Sequence, residues 1–261
     1  MLCCCDYLKT CLILERFAGQ IYSVSMKTFA KEVLVDFVSL FYPRYCFACN
    51  EGLAKGEETI CSRCMLELPR THYHLNPENA LFNRLHGRIP LKLAFAFFLF
   101  RKGGKVQHVL HSLKYHNHPQ IGETLGEVYG EELQQVNLHQ QFDMIIPVPL
   151  HASRKRKRGY NQSEMFAKGL SKSLTIPFSG DGLERTTKTE TQTRKTKLKR
   201  WQNVSEVFRV KEHDQIGNQN ILLVDDVITT GATIEACAQV LLESGCSSIS
   251  IASIAYAEEG K

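Results

Sequence analysis

At 261 residues, with 43% hydrophobic and 23% charged side chains, the chain has enough apolar material for one domain of ordinary size plus a small module. The formal charge of +5 is mild but uneven: Arg154 to Arg158 is an unbroken cationic run, and seven more cations lie between Arg185 and Arg200. That excludes a disordered polyanion and favours anionic partners. No apolar run reaches the length of a transmembrane helix. The longest, Leu93 to Phe100, is of strand length and is bordered by Lys92 and Arg101. With no secretion pattern, the ten cysteines do not read as a disulfide framework, and a cytoplasmic location is expected.

In chain order, residues 1–25 carry Cys3, Cys4, Cys5 and Cys11 without a period, whereas Met26 opens a stretch with Phe29, Val33, Phe37 and Leu40 at helical spacing. The pattern predicts translation from Met26, a non-native or disordered extension over 1–25, and an N-terminal helix over 26–45. Cys46, Cys49, Cys61 and Cys64 follow as two C-x-x-C knuckles eleven residues apart. Two such knuckles facing each other complete the tetrahedral thiolate shell that Zn2+ prefers, with no position left for a catalytic water. A structural zinc-finger module over 46–75 is expected, and it is too short to hold a core of its own.

Beyond the connector, Leu93 to Phe100 reads as a strand, and Val106, Val109, Leu110 and Leu113 mark a helix face. Pro119 opens a second helix reaching about Gln135, and Asp143 to Ile146 is a short buried strand running into Pro147-Val148-Pro149-Leu150. Arg154, Lys155, Arg156, Lys157 and Arg158 lead into Tyr160. Such cations neutralise a pyrophosphate, or track a single-stranded backbone while the ring stacks on a base; a solvated loop is the bland alternative. His108, His111, His116 and His118 read as surface or phosphate-contacting groups. Ser163 to Leu174 is helical, Ile176 is a candidate strand, and a long polar excursion with Arg185, Arg200 and Trp201 separates it from the last strands. Trp201 either stacks on a base or anchors the flap.

Ile221 to Ala232 is the most informative stretch. Four branched apolar residues suit a strand covered on both faces, and Asp225 and Asp226 are expected at its end. Thr229, Thr230, Gly231, Ala232 and Thr233 form a turn into a helix whose inward face is Ile234, Cys237, Ala238, Leu241 and Leu242. A strand feeding a helix through such a turn presents free amides and hydroxyls at the positive helix end, where a phosphate binds. The two carboxylates are placed to accept from vicinal sugar hydroxyls or to hold a divalent ion through water. No Walker A or Gly-x-Gly-x-x-Gly loop is present. Alternating strands and helices predict an α/β fold, a parallel doubly wound sheet, with ligands at the strand carboxyl ends beside Pro149 and Leu150.

This segment resembles the phosphoribosyl-pyrophosphate (PRPP) signature of type I phosphoribosyltransferases. The resemblance implies that Asp225 and Asp226 meet the ribose hydroxyls, that Thr229, Thr230, Gly231 and Thr233 meet the 5-phosphate, and that Mg2+ accompanies PRPP. Lys114, Arg154 and Arg158 are the candidates for the pyrophosphate. Phe41-Tyr42-Pro43-Arg44, the cysteine knuckles, His111-x-Leu113-Lys114-Tyr115, Pro147-Val148-Pro149-Leu150, Arg158-Gly159-Tyr160-Asn161-Gln162, Arg185-x-x-x-Thr189-x-x-Gln192 and Arg200-x-x-Asn203 together resemble the ComF (competence protein F) family from Met26 onward. That implies a zinc finger joined to a phosphoribosyltransferase-like domain over 90–261, with a flexible hood at about 183–210. It also implies a part in DNA uptake with competence-machinery proteins and single-stranded DNA as partners; the alternative is an active Mg2+-dependent phosphoribosyltransferase.

Overall fold

The computed structural model describes residues 43–186, 207–211 and 213–258. The expected extension over 1–25, nearly all of the helix expected over 26–45, and most of the hood, with Arg200 and Trp201, lie outside the described residues. Four parallel strands form the sheet in the order β1 (Leu93–Leu99), β6 (Ser248–Tyr256), β5 (Asn220–Ile228), β2 (Met144–Pro147).

Each strand is apolar on both faces because both faces are covered. Phe95, Phe97, Ile145, Leu222 and Val224 pack against α3 (Lys105–Tyr115), α4 (Gln120–Gln135) and α6 (Gln162–Leu174). Their strand neighbours Ala94, Ala96, Ile146, Ile221 and Leu223 pack against α2 (Ala80–His86) and α8 (Ala232–Glu243). A two-stranded antiparallel ribbon, β3 (Leu183–Arg185) with β4 (Phe208–Val210), joins the second face. The fold is the doubly wound α/β class expected from the alternation of strands and helices.

Helices α4 and α6 touch backbone to backbone. A Cβ added at Gly126 would lie 2.2 Å from the Phe166 carbonyl oxygen, and one at Gly169 would lie 2.1 Å from that of Glu123. Gly126→Ala therefore gains about 1 kcal/mol of helix propensity but forces the helices apart at about 3 kcal/mol. A net loss of about 2 kcal/mol is expected in urea unfolding. An unchanged midpoint would contradict the crossing.

Three elements differ from the sequence reading. The cationic run is a helix, α5 (Ala152–Arg158), capped by His151, whose Nδ1 accepts from the Ser153 amide, and closed by Gly159 at φ 81°. Ile176 is buried but starts no strand; a single bridge joins Phe178 to Ile145 at the sheet edge. Strand β5 continues through Asp225 and Asp226 to Ile228, because β6 pairs with it as far as Ile228↔Tyr256. Among the described residues the remaining helical pieces are α1 (Ser62–Glu67), α7 (His213–Ile216) and two 3-10 turns at Tyr73–Leu75 and Leu138–Gln141.

Candidate functional site

The cleft exists because β2 ends early. Its pairing with β5 stops at Pro147↔Val224, and the Val148 amide makes a last ladder-like bond to the Val224 carbonyl at 2.8 Å. The chain then turns away through Pro149 and Leu150, held by Asn161, whose side-chain amide donates to the Val148 carbonyl at 2.9 Å. Asp225 is thus the first β5 residue uncovered on that side. The two loops face each other across a cleft of about 190 Å3, lined by Pro149, Leu150, Asp225, Asp226 and Thr233 with Lys114, Arg154, Arg158 and Arg185.

The carboxylates differ in environment. Asp225 accepts from the Ser163 hydroxyl at 3.0 Å and from the Asp226 amide at 2.8 Å. Burial, and then the neighbouring Asp226 charge, push its carboxyl up to about 7 against the weaker opposing pull of these donors and Lys114. Asp226 pairs with Lys114 Nζ at 2.7 Å, both side chains being mostly buried. Ser163 is a site residue that the sequence reading missed; its only signal was its place at the start of a helix directly after Asn161-Gln162.

The turn that follows is open to solvent. Thr229, Thr230, Ala232 and Thr233 are exposed, while Gly231 is buried at φ 81° as the residue that caps α8. A side chain there would meet Leu85 Cδ2 at 2.4 Å, so glycine is required by conformation and by packing from α2. Thr233 lines the cleft and the other four form the bend that leads to it.

Of the cations, Arg154 and Arg158 line the cleft and also an adjoining hollow of about 630 Å3, where Arg156, Lys157, Lys114 and Tyr115 join them. Lys155 turns elsewhere, toward Glu164 at 3.4 Å. Arg158 donates to Gln162 Oε1 at 2.8 Å, and its guanidinium lies 5.2 Å from the centre of the Tyr115 ring. Arg185 reaches the cleft from β3 with its guanidinium over Phe208. The stacking role expected of Tyr160 needs correction: the residue is 9% exposed, packs into the core, and its hydroxyl donates to the Leu113 carbonyl. The ring available beside the cations is that of Tyr115, 58% exposed.

The four knuckle cysteines converge. Their sulfur atoms all lie within 4.8 Å of one another, with Cys49 and Cys61 sulfurs 3.9 Å apart. Four sulfurs at about 2.3 Å from a central zinc stand about 3.8 Å apart, so the set fits that ion. Cys46 Sγ accepts from the amides of Ala48 at 3.4 Å and Cys61 at 3.3 Å. Although burial raises its thiol, such amide donors outweigh it and hold Cys46 down at about 7. Cys64, lacking that help, is pushed up to about 12, first by burial and then by neighbouring thiols. A central cation reverses this preference, and its binding releases protons. His108, His111 and His116 are exposed, and among the described residues only the cysteine set gathers three or more ligand atoms.

The fold, the acidic pair uncovered beyond the end of β2 and the Thr-Thr-Gly turn after β5 agree with one assignment, and residues 114–261 match the phosphoribosyl transferase domain, so the chain belongs to that family. Its relatives over most of its length are more particular. It is 29% identical over 231 residues to DNA utilization protein YhgH of Shigella flexneri, covering 81% of this chain and 96% of that protein. It is 26% identical over 226 residues to competence protein F of Haemophilus influenzae, covering 83% and 99%, and 24% identical over 205 residues to competence protein ComFC of Bacillus subtilis, covering 74% and 82%. The resemblance to the ComF family stands on these relatives. Among solved structures, glutamine PRPP amidotransferase from B. subtilis is 18% identical with a TM-score of 0.41, over 55% of this chain and 30% of that one. Among the described residues no helix is long and apolar enough to cross a membrane.

Proposed function

We propose that the protein binds PRPP, or a related nucleotide phosphate, with Mg2+ in the cleft, and holds single-stranded DNA along α5. It would act with proteins of the competence machinery in the cytoplasmic stage of DNA uptake for transformation. The observation that carries this reading is the convergence of Asp225, Asp226, Thr233, Lys114, Arg154 and Arg158 on one cleft. In it, Asp225 and Asp226 accept from the ribose hydroxyls and the amides of the 229–233 turn hold the 5-phosphate. Lys114, Arg154 and Arg158 face the pyrophosphate, and bound Mg2+ would supply further charge neutralisation there. Lys114 is shared: it leaves Asp226 as the ligand arrives and pairs with a phosphate oxygen.

The names of the relatives favour DNA, as does the hollow beside the cleft, where Arg156, Lys157 and the exposed Tyr115 add cations and a stacking surface. Fluorescence anisotropy of a labelled oligonucleotide tests this. Affinity is expected to fall steeply with salt, and the triple variant Arg154→Ala, Arg156→Ala, Lys157→Ala to lower the logarithmic salt slope by about 2. Equal slopes, or no binding at low salt with zinc present, would sink the DNA reading.

One observation favours a working transferase as the second reading: four cations, Lys114, Arg154, Arg158 and Arg185, share the cleft with the carboxylates, the arrangement that departure of pyrophosphate requires. It predicts pyrophosphate release with a base or amine acceptor, lost in Asp226→Asn. Silence across such acceptors would exclude it.

A further inference from the structure

We infer that Arg88 is a positioning residue for the phosphate turn, acting from a part of the chain that lies outside the matched phosphoribosyl transferase span. Arg88 sits just after α2, in the connector to β1. Its Nη2 donates to the Thr230 carbonyl at 2.7 Å, and its Nη1 pairs with Glu235 Oε2 in the first turn of α8 at 3.1 Å. One guanidinium therefore ties the turn to the helix that follows it.

The consequence comes from the geometry of the peptide bond. The Thr230 carbonyl and the Gly231 amide belong to one planar trans unit, so they point in opposite directions. Holding the oxygen on the Arg88 side commits the Gly231 N–H to the other. Gly231 is otherwise the freest residue of the turn, at φ 81°, and Leu85 from the last turn of α2 closes over it, 2.4 Å from where a Cβ would stand. Leu85 restricts the turn by packing and Arg88 by hydrogen bonding, from the same side. The ion pair with Glu235 fixes the guanidinium.

The functional part of this inference rests on the PRPP reading, but the positioning part does not. Backbone 15N relaxation in the ligand-free protein tests positioning alone: Arg88→Ala is expected to lower the order parameters of residues 230–232 from about 0.85 to below about 0.6, with α6 and β6 unchanged. Calorimetric titration then tests the consequence. Arg88→Ala should weaken ribose 5-phosphate and PRPP at least tenfold while moving inorganic pyrophosphate less than twofold. Arg88→Lys, which retains the charge and one donor, should recover part of that loss and keeps the test usable if the alanine variant melts early. Unchanged order parameters in the turn, or equal losses for pyrophosphate and ribose 5-phosphate, would overturn the role of Arg88. Lowered order parameters in the variant together with a wild-type protein blind to both ligands would leave the positioning intact and remove the PRPP reading.

Discussion

Cys64→Ser is expected to lower bound zinc from about one ion per chain to near none and to cost about 4 kcal/mol of stability, a fall of about 10 °C in the melting temperature. The size follows from where the module sits. Cys46 and Cys64 are 1% exposed and belong, with Ala48, Ile60 and Leu68, to the same apolar cluster as α3, α4 and α6. Its exit is tied down as well: Arg70 pairs with Glu132 of α4 and lies over the Phe97 ring, and the Thr71 amide donates to the Phe97 carbonyl at 3.0 Å. Without its ion the module holds the buried Cys64 thiol, whose raised protonation disfavours the thiolate set, and loosening the module strips one face of the main core. Atomic absorption and a thermal melt check this together. A variant that keeps its zinc and melts within about 2 °C of the parent would contradict a structural metal site.

Asp225→Asn is expected to stabilise the ligand-free protein above neutral pH while abolishing ligand binding. In the fold the carboxyl titrates at about 7, against an ordinary value of 3.8. A carboxyl raised on folding is held neutral by the native state, so its contribution to stability declines as pH rises through the interval between those two values and is level beyond it. Asparagine keeps an oxygen for Ser163 and the Asp226 amide without the buried charge. Its advantage should be small at about pH 4, grow up to about pH 7, and reach on the order of 2 kcal/mol at about pH 8. Urea unfolding across pH reads this directly. An advantage that shrank with rising pH would mean that Asp225 is not the strained member of the pair. Stability gained where binding is lost is the pattern expected when charges are gathered for a ligand.

Much of this was legible in the sequence because period and spacing report local physics. The runs Leu93–Leu99 and Ile221–Val224 are apolar on every residue because helices cover both sheet faces, and the two C-x-x-C spacings encode the sulfur cluster. What escaped depends on contacts made across the fold. Nothing in Tyr160 itself shows that its ring is enclosed by the core while Tyr115, one residue from a site lysine, stays exposed. The acidic pair reads as the strand's end, yet the strand runs on; only the early end of β2 at Pro147 exposes it. Ser163 and Arg88 reach the acidic pair and the phosphate turn from 62 and 142 positions away in sequence, contacts that no local pattern announces. The helix over Ala152–Arg158 was hidden because five successive cations leave no apolar period, its stability resting on the His151 cap and the Gly159 stop.

On the proposed function, the cleft between the Pro149 turn and the Asp225-Asp226 strand holds a phosphorylated ribose. Isothermal titration of PRPP with Mg2+ into the zinc-loaded protein measures it most directly. One saturable site is expected, with affinity lost by at least about tenfold, or about 1.4 kcal/mol, in Asp226→Asn while the variant's melting temperature holds. No heat of binding, or an isotherm that Asp226→Asn leaves unchanged, would contradict it.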